Sequence, residues 1–233
     1  MAGRSNFLSR NFLTARQNLR YNGRAIMRVF PFLLVVFSVF FAPVRADNSA
    51  PISKTQTSLE NPRAQKPALQ LARLALEHFF KTGKILATPT QIPSELKIRA
   101  GVIATIEKKG QVQPRGCRGT LQPQYSDLAS EIIANIIAAA TRDKRVQPLQ
   151  KSEMSACRIS LTIILDLQPI QNLSQHDVEN CGLIAQSGGR IGLVLPYEGR
   201  DAQTQWKWAR QKAGLKDSEK AQMLEVRAVR FRE

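Results

Sequence analysis

Residues 126–143, SDLASEIIANIIAAATRD, constrain the fold more than any other stretch of this chain. Leu128, Ile132, Ile133, Ile136, Ile137 and Ala140 recur at three- and four-residue spacing, so a helix gathers them on one face. Ser126 or Asp127 stands where a side-chain oxygen can accept an orphan N–H of the first turn. A helix this apolar must bury its stripe against another layer, and the segments around it read as the strands of that layer.

Residues 101–106, GVIATI, are rich in β-branched side chains, and Lys108-Lys109-Gly110 marks a turn. The chain returns through Val112 and Pro114, and a proline without an N–H confines this return to a sheet edge or to irregular structure. Residues 157–166 alternate. Cys157, Ile159, Leu161, Ile163 and Leu165 share one face, and Arg158, Ser160, Thr162 and Asp166 share the other, as in a half-buried strand that uses Cys157 as a small core residue. Residues 183–187 and 190–195 flank Gly188-Gly189, a hairpin signal. Residues 222–232 form a last strand with Leu224, Val226 and Ala228 on one side. Two more helices are expected. One starts at Pro67 and runs to Gly83, with His78 as a surface or packing residue; the other spans 201–213, with Trp206, Ala209 and Ala213 inward and Gly214 after its end. Hairpins dominate the strand connections, so the expected fold is α+β, a mainly antiparallel sheet packed with about three helices, rather than a doubly wound sheet.

The N-terminal region reads differently. Residues 29–42, VFPFLLVVFSVFFA, are fourteen uncharged residues. That is short of the roughly 20 that span a bilayer and suits the apolar core of a secretory signal, with Arg28 just before it. Val44 and Ala46 fit the −3 and −1 positions of a cleavage site, so 1–46 reads as a signal peptide and the mature chain begins at Asp47, outside the cytoplasm. Retention of the leader would instead tether the protein to the membrane. Met27 offers a simpler start than Met1, because Met27-Arg28 directly precedes the apolar run. Residues 47–66 hold only Ile52 and Leu59 as large aliphatics among Ser, Thr, Pro, Asn and Gln, the composition of a linker that cannot offset its own ordering entropy. The folded domain is read as 67–233.

The formal net charge is +16, but seven arginines and no acid lie within 1–46. Residues 47–233 retain 27 basic and 18 acidic side chains, intermixed, which suits anionic ligands or surfaces and does not by itself point to DNA or RNA. No basic helix, aromatic RNA-binding signature or zinc-finger spacing is present. Three cysteines without a Cys-x-x-Cys pair, and two histidines outside any ligand spacing, give no sequence basis for a metal site.

Between the first strand pair and the central helix lies Arg115-Gly116-Cys117-Arg118-Gly119-Thr120, where a thiol, two guanidiniums and two glycines coincide. Nearby positive charge favours a thiolate, Thr120 can donate a hydrogen bond, and Gly116 and Gly119 let backbone N–H groups approach a ligand. Cys117 is therefore the candidate nucleophile, and Arg115, Gly116, Gly119 and Thr120 are the candidate ligand-binding residues. In an extended strand Arg115 and Arg118 point to opposite faces, so only one of them need reach the thiol. Glycines that serve a tight turn, with a packed cysteine between them, are the structural alternative. No nucleophile elbow, phosphate-binding loop or dinucleotide fingerprint accompanies the segment, and no cofactor can be named.

At this segment the chain resembles the AMMECR-type domain family, whose hallmark is a Leu-Arg-Gly-Cys-Ile-Gly-Thr run after a Gly-Val-Phe-type strand. Here the strand is Gly101-Val102-Ile103 and the hallmark reads Pro114 to Thr120. Further matches are Asp143 and Arg145 after an alanine-rich helix end, Gly182-Leu183, Gly192 to Pro196, and Lys212 to Leu215 after Trp206. Pro114 and Arg118 replace usual aliphatic residues. The resemblance implies an α+β domain with a larger and a smaller lobe, and a candidate site at Arg115, Gly116, Cys117, Gly119 and Thr120. The family has no established activity, and its relatives accompany radical-enzyme and Memo-type partners in some genomes. The expected function is binding of a small anionic ligand or a protein partner at Arg115–Thr120; cysteine-dependent catalysis and a scaffold role are the alternatives. In an oxidising compartment three thiols allow one disulfide, and Cys117 with Cys181 is the first pair to check.

Overall fold

A computed structural model describes residues 62–233 apart from Val112 and Tyr197. The leader, the Met27 start and most of the linker fall outside these residues. Among the described residues three α-helices, α1 (Pro62–Thr82), α2 (Leu128–Thr141) and α3 (Ala202–Lys212), accompany six strands: β1 (Gly101–Lys108), β2 (Gly116–Gly119), β3 (Cys157–Pro169), β4 (Cys181–Ser187), β5 (Arg190–Val194) and β6 (Gln222–Arg232). The strands form one antiparallel sheet in the order β2-β1-β3-β6-β4-β5. This is the α+β architecture read from the sequence.

Local sequence explains most element boundaries. Asp127 caps α2 by accepting from Ser130 N–H at 2.8 Å. Gly188 and Gly189, at φ of 53° and 81°, make the two-residue β4–β5 turn in the left-handed region that glycine enters without strain. α1 begins at Pro62, five residues before the expected start. Pro62 is preorganised for a first helical position, and Ala64, one turn before Ala68, is fully buried, so the apolar stripe extends back into the segment read as linker. Pro67 therefore lies inside the helix.

Alternation along the strands divides the core in two. Val102, Ala104, Ile106, Ile159, Leu161, Ile163 and Phe231 turn to one face, where α1 and α2 cover them. Ile103, Cys117, Ile164, Leu224 and Val226 turn to the other, where they join Ile184, Ile191 and Leu193 of the β4–β5 hairpin in a second cluster. The alternation of β3 predicts a half-buried strand, yet Ser160 and Thr162 on its second face are only 1% and 2% exposed. The register shift between Ile164 and Asp166 is a bulge, which sharpens sheet curvature, and the β1–β3 end and the β4–β5 hairpin share the second cluster. α3 packs on the outer side of the hairpin through Ala209 and Ala213, against Ala185 and Val194. Among the described residues no helix is long and apolar enough to cross a membrane.

Candidate functional site

β2 is an edge strand, and it runs alongside α2. Gly116 faces the helix so closely that a Cβ there would stand 2.2 Å from the Ala139 carbonyl oxygen. At Gly119 a Cβ would meet the Ile103 Cα at 2.5 Å. Each glycine of the hallmark is thus required by the approach of another backbone.

Thr120 continues past the strand and its hydroxyl donates to Glu131 Oε1 at 2.5 Å. Glu131 is fully buried. Its carboxylate also accepts from Asn135 Nδ2 at 3.0 Å and from the Gln124 and Tyr125 N–H groups at 2.8 and 3.0 Å. Four donors on two oxygens make it the anchor of the turn that carries the chain from β2 into α2.

Arg115 turns away from Cys117. It forms a two-pronged pair with Glu153, Nε to Oε1 at 2.9 Å and Nη2 to Oε2 at 2.7 Å, and donates to the Gln147 and Pro148 carbonyls at 2.7 and 3.2 Å. The hydrogen-bonded guanidinium holds the Glu153 carboxyl at about 2, well below its ordinary 4.5. Loop 142–150 is thereby tied along the outer edge of β2.

Cys117 is 7% exposed and lies on the second sheet face with Ile103 and Leu121. Its N–H points out from the sheet edge and donates to Asp143 Oδ2 at 2.9 Å. Its sulfur lies 3.4 Å from Thr105 Oγ1 and also bonds the guanidinium of Arg145. Arg145 in turn donates to both Asp143 oxygens, at 2.8 and 2.6 Å. Burial opposes charge on Asp143, but the bonds from Arg145 and the Cys117 N–H outweigh it and keep this carboxyl below the usual range. Burial dominates at the thiol and pushes Cys117 up, against the smaller opposing pulls of Thr105 and Arg145. Cys117 is therefore held as a thiol near neutral pH.

The guanidinium that reaches the thiol is thus that of Arg145 rather than Arg115 or Arg118. In the sequence, Asp143 and Arg145 look like the solvated end of a helix; their family resemblance is the one signal that marks them. The side chain of Arg118 is half-buried and has no hydrogen-bond or ionic partner among the described residues. Arg142 and Lys144, on either side of Asp143, are exposed, and their side chains have none either. Three unpaired cations are therefore attached within one residue of the 2.9 Å junction between Cys117 and Asp143.

Cys117 and Cys181, the first pair to check, form no disulfide; all three cysteines are free and buried. Cys117 and Cys181 lie on β2 and β4, four strand steps apart, roughly 19 Å along the sheet. Burial pushes Cys181 up to about 11. No cluster of three or more metal-ligating side chains occurs among the described residues.

Comparison with known proteins places the chain among relatives of the same fold. The sequence model of the AMMECR1 family matches residues 69–233. A Thermotoga maritima protein is 36% identical over 155 residues, covering 65% of this chain and 88% of its own length. A Methanothermobacter thermautotrophicus protein is 31% identical over 146 residues, covering 60% of this chain and 72% of its own. The crystal structure of an uncharacterised Pyrococcus horikoshii protein superposes with a TM-score of 0.64 at 27% identity, covering 73% of this chain and 92% of its own. None of these descriptions names an activity. The antiparallel six-stranded sheet, the glycine-bracketed edge strand and the family match over 69–233 together show that the chain belongs to the AMMECR1 family.

Proposed function

We propose that this domain binds a small anionic ligand, or an acidic group of a partner, at the cationic rim where β2 meets the loop after α2, and that the hallmark segment frames this rim. The observation that carries the reading is the trio Arg118, Arg142 and Lys144, unpaired among the described residues and grouped around the Cys117–Asp143 bond. Asp143 adds no free negative charge there, because Arg145 engages both its oxygens. Arg115 contributes by holding the loop, Gly116 and Gly119 by admitting neighbouring backbone, and Thr120 by bonding Glu131. Burial of the Cys117 thiol disfavours a nucleophilic role for it.

Titration calorimetry of the full chain with pyrophosphate and with a dicarboxylate tests the reading. At least one anion should bind, and the triple variant Arg118→Ala, Arg142→Ala, Lys144→Ala should lose that binding while keeping its melting temperature. Absence of binding to either anion, or equal binding by the variant, sinks the proposal and leaves a scaffold role.

The leader at 29–42 supports a location outside the cytoplasm. A mature chain beginning at Asp47, read by intact mass, is the expected outcome, and a chain that keeps residues 1–46 would instead indicate a tether.

A further inference from the structure

The charge of the described domain is concentrated at one end. Residues 62–233 carry 26 basic and 16 acidic side chains. Segments 107–118, 142–158 and 230–233 hold eleven of the basic and four of the acidic ones, a net +7, which leaves +3 for all the remaining residues. Direct contacts bring these segments together. Lys108 and Arg115 reach Glu153 at 3.7 and 2.7 Å, Cys117 N–H bonds Asp143, and Arg230 reaches Glu107 at 2.7 Å. Glu107 also bonds Arg232 and stands opposite Arg158 in the β1–β3 register. Each of the acids Glu107, Asp143 and Glu153 is thus already engaged by arginine, and the surplus is positive. Lys109, Lys151 and Arg158 are exposed, and among the described residues their side chains have no partner.

The same end receives the preceding chain. Gln65, in the first turn of α1, donates to the Arg232 carbonyl at 3.1 Å. About two turns on, Arg73 donates to the Met154 and Cys157 carbonyls at 3.3 and 3.0 Å. Whatever lies before Pro62 therefore joins the domain at its electropositive end. The three charged segments offer no exposed aromatic side chain on which a nucleobase could stack; Phe231 is 3% exposed. Many exposed cations without a stacking platform fit a lattice of phosphates read by charge alone.

We infer that this end docks on an anionic phospholipid surface through Lys109, Lys151, Arg158 and the rim cations. This goes beyond ligand binding at the rim, because it depends on cations outside the Arg118, Arg142, Lys144 trio. Attraction of this kind acts over about one Debye length, some 8–10 Å at physiological salt, and weakens steeply as salt rises.

Co-sedimentation of the full chain with vesicles tests it. Vesicles containing 30 mol % phosphatidylglycerol should bind the protein well above phosphatidylcholine vesicles, and 0.5 M NaCl should remove the difference. The variant Lys109→Glu, Lys151→Glu, Arg158→Gln, folded by circular dichroism, should lose about 100-fold in affinity for the anionic vesicles, at roughly a factor of five for each cation removed. It should keep the anion affinity seen by calorimetry, so the two readings fail separately. The neutral variant Lys109→Gln, Lys151→Gln serves if the first does not fold, with a loss of about 10-fold or more. Equal binding to both vesicle types, no loss in the variants, or complete displacement by duplex DNA at matched phosphate would overturn the proposal, the last in favour of nucleic acid.

Discussion

Gly116 sits where a strand and a helix touch through their backbones, which gives it a sharp mutational signature. In Gly116→Ala the new methyl would meet the Ala139 carbonyl at 2.2 Å, and neither group is the end of a flexible side chain. The variant should lose about 2–3 kcal/mol in urea unfolding, with β2 and α2 forced apart. A loss below 0.5 kcal/mol would show that the contact relaxes freely. Glu131→Gln is a second probe. Two donors face each carboxylate oxygen, so whichever way the amide turns its NH2 meets donors. A loss of about 2–4 kcal/mol is expected, larger than for most isosteric changes. Cys117, protected by burial and held as a thiol, should react with iodoacetamide at pH 7 far more slowly than a free cysteine. Rapid, selective alkylation at 117, read by mass spectrometry, would restore the nucleophile hypothesis.

At the scale of elements, loop 142–150 is what converts the exposed edge of β2 into a finished surface. Its latch is Arg115 with Glu153, and the latch carries a pH signature. The Glu153 carboxyl is depressed in the fold, from 4.5 to about 2. Its contribution is therefore present above about 4.5 and is lost as pH falls toward 2. Arg115→Ala should lower stability at pH 7 and flatten the acid limb of the stability curve between these two values. An unchanged acid slope would mean that the pair is too well solvated to matter, as many surface pairs are. The elements themselves were legible because they repeat. The 3.6-residue stripe of α2 and the alternation of β3 each report a buried face directly. The loop does not repeat, so its charges looked like solvated residues, and the partners of Arg115 and Cys117, 26 to 38 residues away, left no local trace. Burial of Ser160 and Thr162 was hidden for a related reason, since it depends on the curl of the whole sheet rather than on the strand that carries them.

For the whole molecule, β6 is the strand that makes one cooperative unit out of two clusters. It lies between β3 and β4, and its residues serve both sides of the sheet. Phe231 belongs to the cluster under α1 and α2, while Leu224 and Val226 belong to the cluster shared with the β4–β5 hairpin. The two clusters are thus joined by a continuous hydrogen-bonded ladder rather than by a linker, and His176 adds a buried polar tie, bonding Glu225 of β6 and Gln205 of α3 at 2.7 Å each. Truncation on either side of β6 should consequently be felt by the whole domain. Phe231→Ala removes a nearly buried ring and should cost about 3–5 kcal/mol; Leu224→Ala on the other face should cost about 2–5 kcal/mol. Both should shift one transition, coincident by far-UV circular dichroism and by tryptophan fluorescence, whose reporters Trp206 and Trp208 sit on α3 beside the β4–β5 hairpin. If Phe231→Ala moved the dichroism and left the fluorescence transition in place, the two clusters would be separate folding units, and the ladder through β6 would not couple them.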